Sequence, residues 1–222
     1  MPFFYLNNFL SYSYHGSQAL SNALPLDAAG NTQYIYGENE AAINLGDGWA
    51  GALESFSGGK GYWFGASTNF VFSYNNPSQT AATYTATVKP EVPAELAYSQ
   101  SSAQHFYFVD DASINGADLN YGDWVVAYNG DEVVGARMYQ GQSMIDVPIM
   151  GAIDEPINRR SIIGNLTAGY LKVGDIPSIK VHRTTGEVVD MHVTLQEGYL
   201  EFIGDPANTN LPSHAVVSLA DA

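Results

Sequence analysis

The chain contains no cysteine. That absence excludes disulfide staples, thiolate nucleophiles and cysteine-based zinc or iron–sulfur centres together. Basic residues are also scarce: 8 Lys and Arg stand against 23 Asp and Glu, a net charge of −15. Phosphate backbones and anionic lipid are held by clustered cations, so neither nucleic acid nor a membrane surface is an expected partner. Charged residues make up only 14% of the chain while hydrophobic ones reach 45%, which is the balance of a globular protein and not of a disordered one. No run approaches the roughly 18 apolar residues that a membrane-spanning helix requires. The opening MPFFYLNNFLSYSYHGSQ has no basic stretch followed by an apolar one, so a standard cleaved secretion signal is not expected and synthesis in a cytoplasm is.

Tyr (15), Phe (10) and Gly (22) are plentiful, and they suit pleated half-buried surfaces and tight turns. Period-two patterning agrees: Phe70, Phe72 and Tyr74 alternate with Val71 and Ser73. Further strand-like runs occupy 61–64, 105–110, 123–128, 132–139, 143–150, 167–173, 178–183, 187–193 and 199–203. Pro148 inside one of them marks an edge or a bulge. Short strands at this spacing predict an all-β fold, an antiparallel β-sandwich with room for two sub-domains. The expected organisation is an irregular docking arm over 1–36 and a small β sub-domain over 37–75. An extended Thr-, Ala- and Pro-rich linker follows over 76–97, then a β-sandwich module over 98–204 and a partly ordered tail over 205–222. Within the arm, QALSNAL (18–24) has helical spacing, with Leu20 and Leu24 on one face and Pro25 as a stop. A helix that short must dock, either on its own domain or on a neighbouring subunit. With Phe3, Phe4 and Tyr5 it forms the candidate assembly set.

The run GDWVVAYNGDEVVGARM (122–138) carries the strongest local signal. Asn129-Gly130 between two β-rich segments predicts a type I′ hairpin, pairing Tyr128 with Asp131, Val126 with Val133 and Trp124 with Gly135. Both faces are then largely apolar, which places the hairpin centrally. Arg137, diagonal to Trp124, would stack on the indole, a contact worth about 0.5–1 kcal/mol at an exposed site. Two readings stand: simple packing, or a sugar- or protein-binding platform of Trp124 and Arg137 to which Tyr139, Tyr62 and Trp63 add aromatic surface.

Catalytic motifs are few. Gly58-Gly59-Lys60 is followed by Gly61 and Tyr62, with no Ser or Thr to hold magnesium, so it is not a P-loop. No G-x-S-x-G elbow or H-E-x-x-H pairing occurs, and His182 and His192 would face each other across a turn at Thr185-Gly186 without further ligands. No pair of carboxylates is singled out for glycoside hydrolysis. Asp110, Asp111, Asp118 and Asp123 flank the loop DASINGADLNYG, and oxygen ligands on a Gly-containing loop are what calcium takes. The ordered spacing of an EF-hand is missing, and Asx residues capping turns account for the same pattern. Calcium is thus the one cofactor the sequence admits.

The segment ELAYSQSSAQHFYFVDDASINGADLNYGDWVVAYNGDEVVGARMY, followed by IDVPIMG and TAGYLKVGDIPSIKV, resembles a β-sandwich module of marine phage (cyanophage-like) virion proteins and secreted bacterial surface proteins. Upstream, Trp49 to Leu53 (W-x-G-x-L) and GGKGYWF (58–64) resemble the piece that often precedes it, so the likeness spans about 46–181. Related copies often carry cysteines around the positions of Val134 and 144–146, which this chain lacks. The resemblance supplies no catalytic residues. It implies a non-enzymatic virion structural protein, a head decoration or a tail adaptor or fibre component, assembling symmetrically with other virion proteins. The alternative is a carbohydrate-binding or adhesin module with a cell-surface glycan as partner.

Overall fold

The computed structural model describes residues 2–3, 6–77, 90–153, 166–204 and 211–222, with backbone only for 2, 3 and 6. Two compact units divide the chain, Met1–Lys89 and Pro90–Ala222. Strands dominate the regular structure, with 47% of residues in strands against 8% in helices, so the all-β, sandwich-like expectation holds.

The first unit runs β1 (Pro2–Phe3), β2 (Leu6–Ser11), β3 (Ser17–Ala19), α1 (Leu20–Ala23), α2 (Leu26–Asn31), β4 (Thr32–Tyr36), β5 (Ala41–Asn44), β6 (Trp49–Ala50), β7 (Ser55–Ser57), β8 (Gly61–Ala66) and β9 (Phe70–Val71). An antiparallel five-stranded sheet has the order β2-β8-β4-β5-β6, and β1-β9 and β3-β7 form two small ribbons. Its core is aromatic. The Phe56 ring lies 4.9 Å from Tyr62, 5.2 Å from Tyr74, 5.7 Å from Phe64 and 5.8 Å from Tyr12, ring centre to ring centre. Such offset and edge-on contacts add about 0.5–1.5 kcal/mol each beyond area burial. The alternation over 70–74 holds, with Phe72 and Tyr74 buried while Val71 and Ser73 face out.

The separate N-terminal arm does not exist as expected. Residues 6–11 form the edge of the five-stranded sheet beside β8, and β4 lies on the other side of β8. Leu20 and Leu24 are buried with Ala23 and Ala28 in the core of this same unit, so the short helix docks on its own domain. Phe3 lies in β1 opposite Phe70; Phe4 and Tyr5 fall outside the described residues.

The second unit opens with a 3-10 turn at Ala94–Leu96. It continues with β10 (Gln104–Ile114), β11 (Ala117–Asp118), β12 (Trp124–Asn129), β13 (Glu132–Met138), β14 (Ile145–Met150), β15 (Ser178–His182), β16 (Val188–Gly198) and β17 (His214–Asp221). Its sheet has the order β10-β17-β16-β15-β12-β13, with β14 and β11 on the other side of β10; among the described strands only β10 and β17 pair in parallel, besides a single parallel bridge of Gly151 with Leu171. The sheet folds over so that its terminal strands β13 and β14 pack together without a ladder between them. Gly135 is the contact point: a Cβ there would lie 1.6 Å from the Pro148 carbonyl oxygen. Pro148 tolerates its place because β14 is laddered on one side only, as its sequence predicted. Tyr107, Val125, Val134, Val147, Val181 and Val217 fill the enclosed core.

Three organisational expectations change here. The tail from 205 is no tail at its end, since β17 sits between β10 and β16. The runs at 167–173 and 199–203 are not strands. Of the expected linker, 78–89 lies outside the described residues, and Leu96 belongs to the second unit, buried against Val126 and Ala136.

The hairpin forms, but in another register. Asn129 pairs with Glu132, so the two-residue turn is Gly130-Asp131, with Gly130 at φ 62. Glycine in the first central position is the requirement of a type II′ turn. The double left-handed turn sits instead at Asn115 (φ 54) and Gly116 (φ 74), joining β10 to β11. A further register shift between Ala127 and Tyr128 puts Trp124 opposite Met138 and Ala127 opposite Gly135.

Candidate functional site

A pocket of about 250 Å³ opens in the second unit where β10, β11 and the β13–β14 connection meet. Side chains on a regular strand alternate faces, yet both Asp110 and Asp111 line this pocket. The cause is a bulge: the pairing of β10 with β17 skips a residue between Val109 and Asp111. The turn at Asn115-Gly116 then returns Asp118 to the same place, and Leu119 and Ile145 supply an apolar floor. The facing wall is Tyr139, Gly141, Gln142 and Ser143. Gln142 holds this connection in shape, donating from Nε2 to the Met138 carbonyl and accepting the Gln140 N–H at Oε1. Asp110 accepts a hydrogen bond of 3.1 Å from Gln196. The lining combines carboxylate, phenol and hydroxyl groups with one aromatic ring, which can accept the hydroxyls of a small polyol.

The calcium set is not assembled as a chelate. Asp110, Asp111 and Asp118 share the pocket, but among the described residues no three acidic or histidine side chains converge tightly enough to hold an ion. Asp123 is fully buried and committed elsewhere. One carboxylate oxygen accepts the Thr184 N–H at 2.8 Å and the Thr184 hydroxyl at 3.3 Å. The other accepts the Asn120 N–H at 2.9 Å, with Arg183 Nε 4.0 Å away. Asp123 therefore ties the approach to β12 to the β15–β16 turn, which is the turn-capping alternative realised across 61 residues.

The expected aromatic platform is dispersed. Tyr62 is buried in the first unit, where its hydroxyl accepts the Ser57 N–H; Trp63 is half-buried on the other face of β8, 4.9 Å from the exposed Phe9 ring. Arg137 does not stack on Trp124. Its Nε donates to the Asp146 carbonyl at 3.0 Å and its Nη2 to the Asp146 carboxylate at 3.2 Å, a pair in which Asp146 is fully buried. Tyr139 alone of the five lines the pocket.

Sequence reasoning missed a cluster on β12 and β15. The Tyr128 hydroxyl lies 2.7 Å from His182 Nε2, their rings stack at 17°, and Lys180 sits 5.7 Å over the Tyr128 ring. Burial raises the Tyr128 phenol above its ordinary value, while burial and then Lys180 lower His182. A neutral imidazole accepting from the phenol satisfies both directions. Lys180 is in turn paired with Asp190 at 3.0 Å. These groups are 54 residues apart at Tyr128 and His182, and only the β12–β15 register brings them together. His182 pairs with Val188 and not with His192, which lies opposite Ala220.

Compared with models of known protein families, with curated proteins and with solved structures, the chain matches none. Among the described residues, no helix is long and apolar enough to cross a membrane.

Proposed function

We propose that the chain is a structural protein of a phage virion, a head decoration or a tail adaptor or fibre component, that works by protein–protein contact. The observation supporting this most is how the segment resembling virion modules is used. Val125, Val126, Ala127, Val134 and Ala136 are buried, as is every residue of β14, so the motif encodes a rigid β unit and not a reactive centre. Arg137, the cation of that segment, is spent on Asp146. The test is quantitative mass spectrometry of density-purified particles from the source phage. A fixed copy number per particle supports the reading; recovery of the protein only in the particle-free lysate refutes it.

The second reading, glycan binding, has one specific support: the pocket beneath Tyr139, where an aromatic ring faces carboxylate and hydroxyl acceptors. It predicts glycan-array signals that Tyr139→Ala removes. An array without hits sinks it.

A further inference from the structure

Two histidines of the second unit are enclosed: His105 is fully buried and His214 is 4% exposed. His105 Nε2 lies 3.0 Å from the Tyr199 carbonyl oxygen, so that nitrogen carries the proton and donates it. Nδ1 is then bare, buried and without a hydrogen-bond partner. The ring packs edge-on to Tyr107 at 5.8 Å and tilted to Phe202 at 6.3 Å. What encloses it is a strap, residues 199–204, that leaves β16 and crosses this end of β10. The strap is held by the His105 bond, by Tyr107 donating to the Leu200 carbonyl at 2.6 Å, and by Tyr199 N–H donating to the His214 carbonyl at 3.1 Å. Phe202 N–H donates to Asp175, and its ring lies where a Cβ on Gly151 would be.

We propose that the 199–204 strap is an acid-released latch, closed while His105 is uncharged and opened when its imidazole takes up a proton at Nδ1. A proton there would create a buried N–H⁺ with no acceptor, beside a second buried histidine. Hydrating it requires the ring's cover to open, and the strap, bonded to the same ring through Nε2, is the part of that cover outside the sheet ladders. Among the described residues, the charged groups on the packed elements offer no compensation. Asp146 lies at the far end of β14 and is bound to Arg137, while Asp221 is at the far end of β17. Glu197 on β16 and Glu201 on the strap are exposed; Asp110 and Asp111 lie further along β10, and Asp175 on the 166–177 loop accepts the Lys172 N–H. Burial first, and then His214, lower His105 to about 3; burial lowers His214 to about 4.

The sign follows from these directions. A depressed value in the closed state favours closure above the free-histidine value of about 6.5 and loses that advantage as pH falls toward 3–4. For His105 alone, opening should rise roughly twentyfold between pH 7 and 5. The test is amide hydrogen exchange on the intact protein at both pH values, scaled for intrinsic rates. The Tyr199 and Phe202 amides, and that of Gly174, which donates to the Phe202 carbonyl at 2.9 Å, should lose protection by that factor, while 125–127 and 179–181 stay within twofold. His105→Gln, which keeps the donor without titrating, should hold the strap closed at pH 5. Unchanged strap protection at pH 5, or loss spread evenly over the sheet, overturns the latch. Should His105→Gln fail to fold, the comparison of strap and sheet in the natural protein still decides.

Discussion

Position 135 admits only hydrogen as a side chain, because the Pro148 carbonyl of β14 occupies the place of a Cβ. Gly135→Ala must push β13 and β14 apart, and an overpacked core of this kind costs about 1–3 kcal/mol. The prediction is a loss at or above the top of that range, read from the urea midpoint with an unchanged slope. Asp123 works by bonding instead of shape. Asp123→Ala removes the shared acceptor of the part-buried Asn120 and Thr184 N–H groups, at a cost of about 1–3 kcal/mol. Asp123→Asn retains one carbonyl acceptor and should lose roughly half as much by the same measurement. Neither role was legible in the sequence. Gly135 read only as the partner of Trp124, and Asp123 as one ligand of four, since the contact with Pro148 and the bond to Thr184 depend on how the strands pack.

At the scale of elements, the sequence was most informative where a local pattern decides the outcome. The alternation at Phe70, Phe72 and Tyr74 and the edge marked by Pro148 both appear in the structure. The hairpin shows the limit. A turn slip of one residue and a bulge near Tyr128 change which side chains share a face, and local propensity is nearly indifferent between the Asn129-Gly130 and Gly130-Asp131 turns. Burying Val126 and Ala136 together against Leu96 is the tertiary gain that the observed register achieves. The candidate pocket was half legible: the acidic residues were singled out, but the bulge that aims two successive aspartates one way depends on pairing with β17. That strand lies more than a hundred residues away and read as a tail. Its importance is testable. A fragment 90–222 should fold alone, with a cooperative melt and a β-type circular dichroism spectrum. The same fragment ending at 213 should not, because both β10 and β16 lose a full ladder.

For the whole molecule, the chain carries a net charge of −15 over two β units, and the second unit encloses its own apolar core. The proposed role concerns where this acidic β protein is placed in a particle. A density map of the intact particle to which the proposal assigns the chain tests that most directly. The account predicts symmetry-related copies of the Pro90–Ala222 unit, recognisable by a sheet in which β17 alone runs parallel to its neighbour β10. A map in which every head and tail density is filled by other chains, with no copy of this unit, would contradict it.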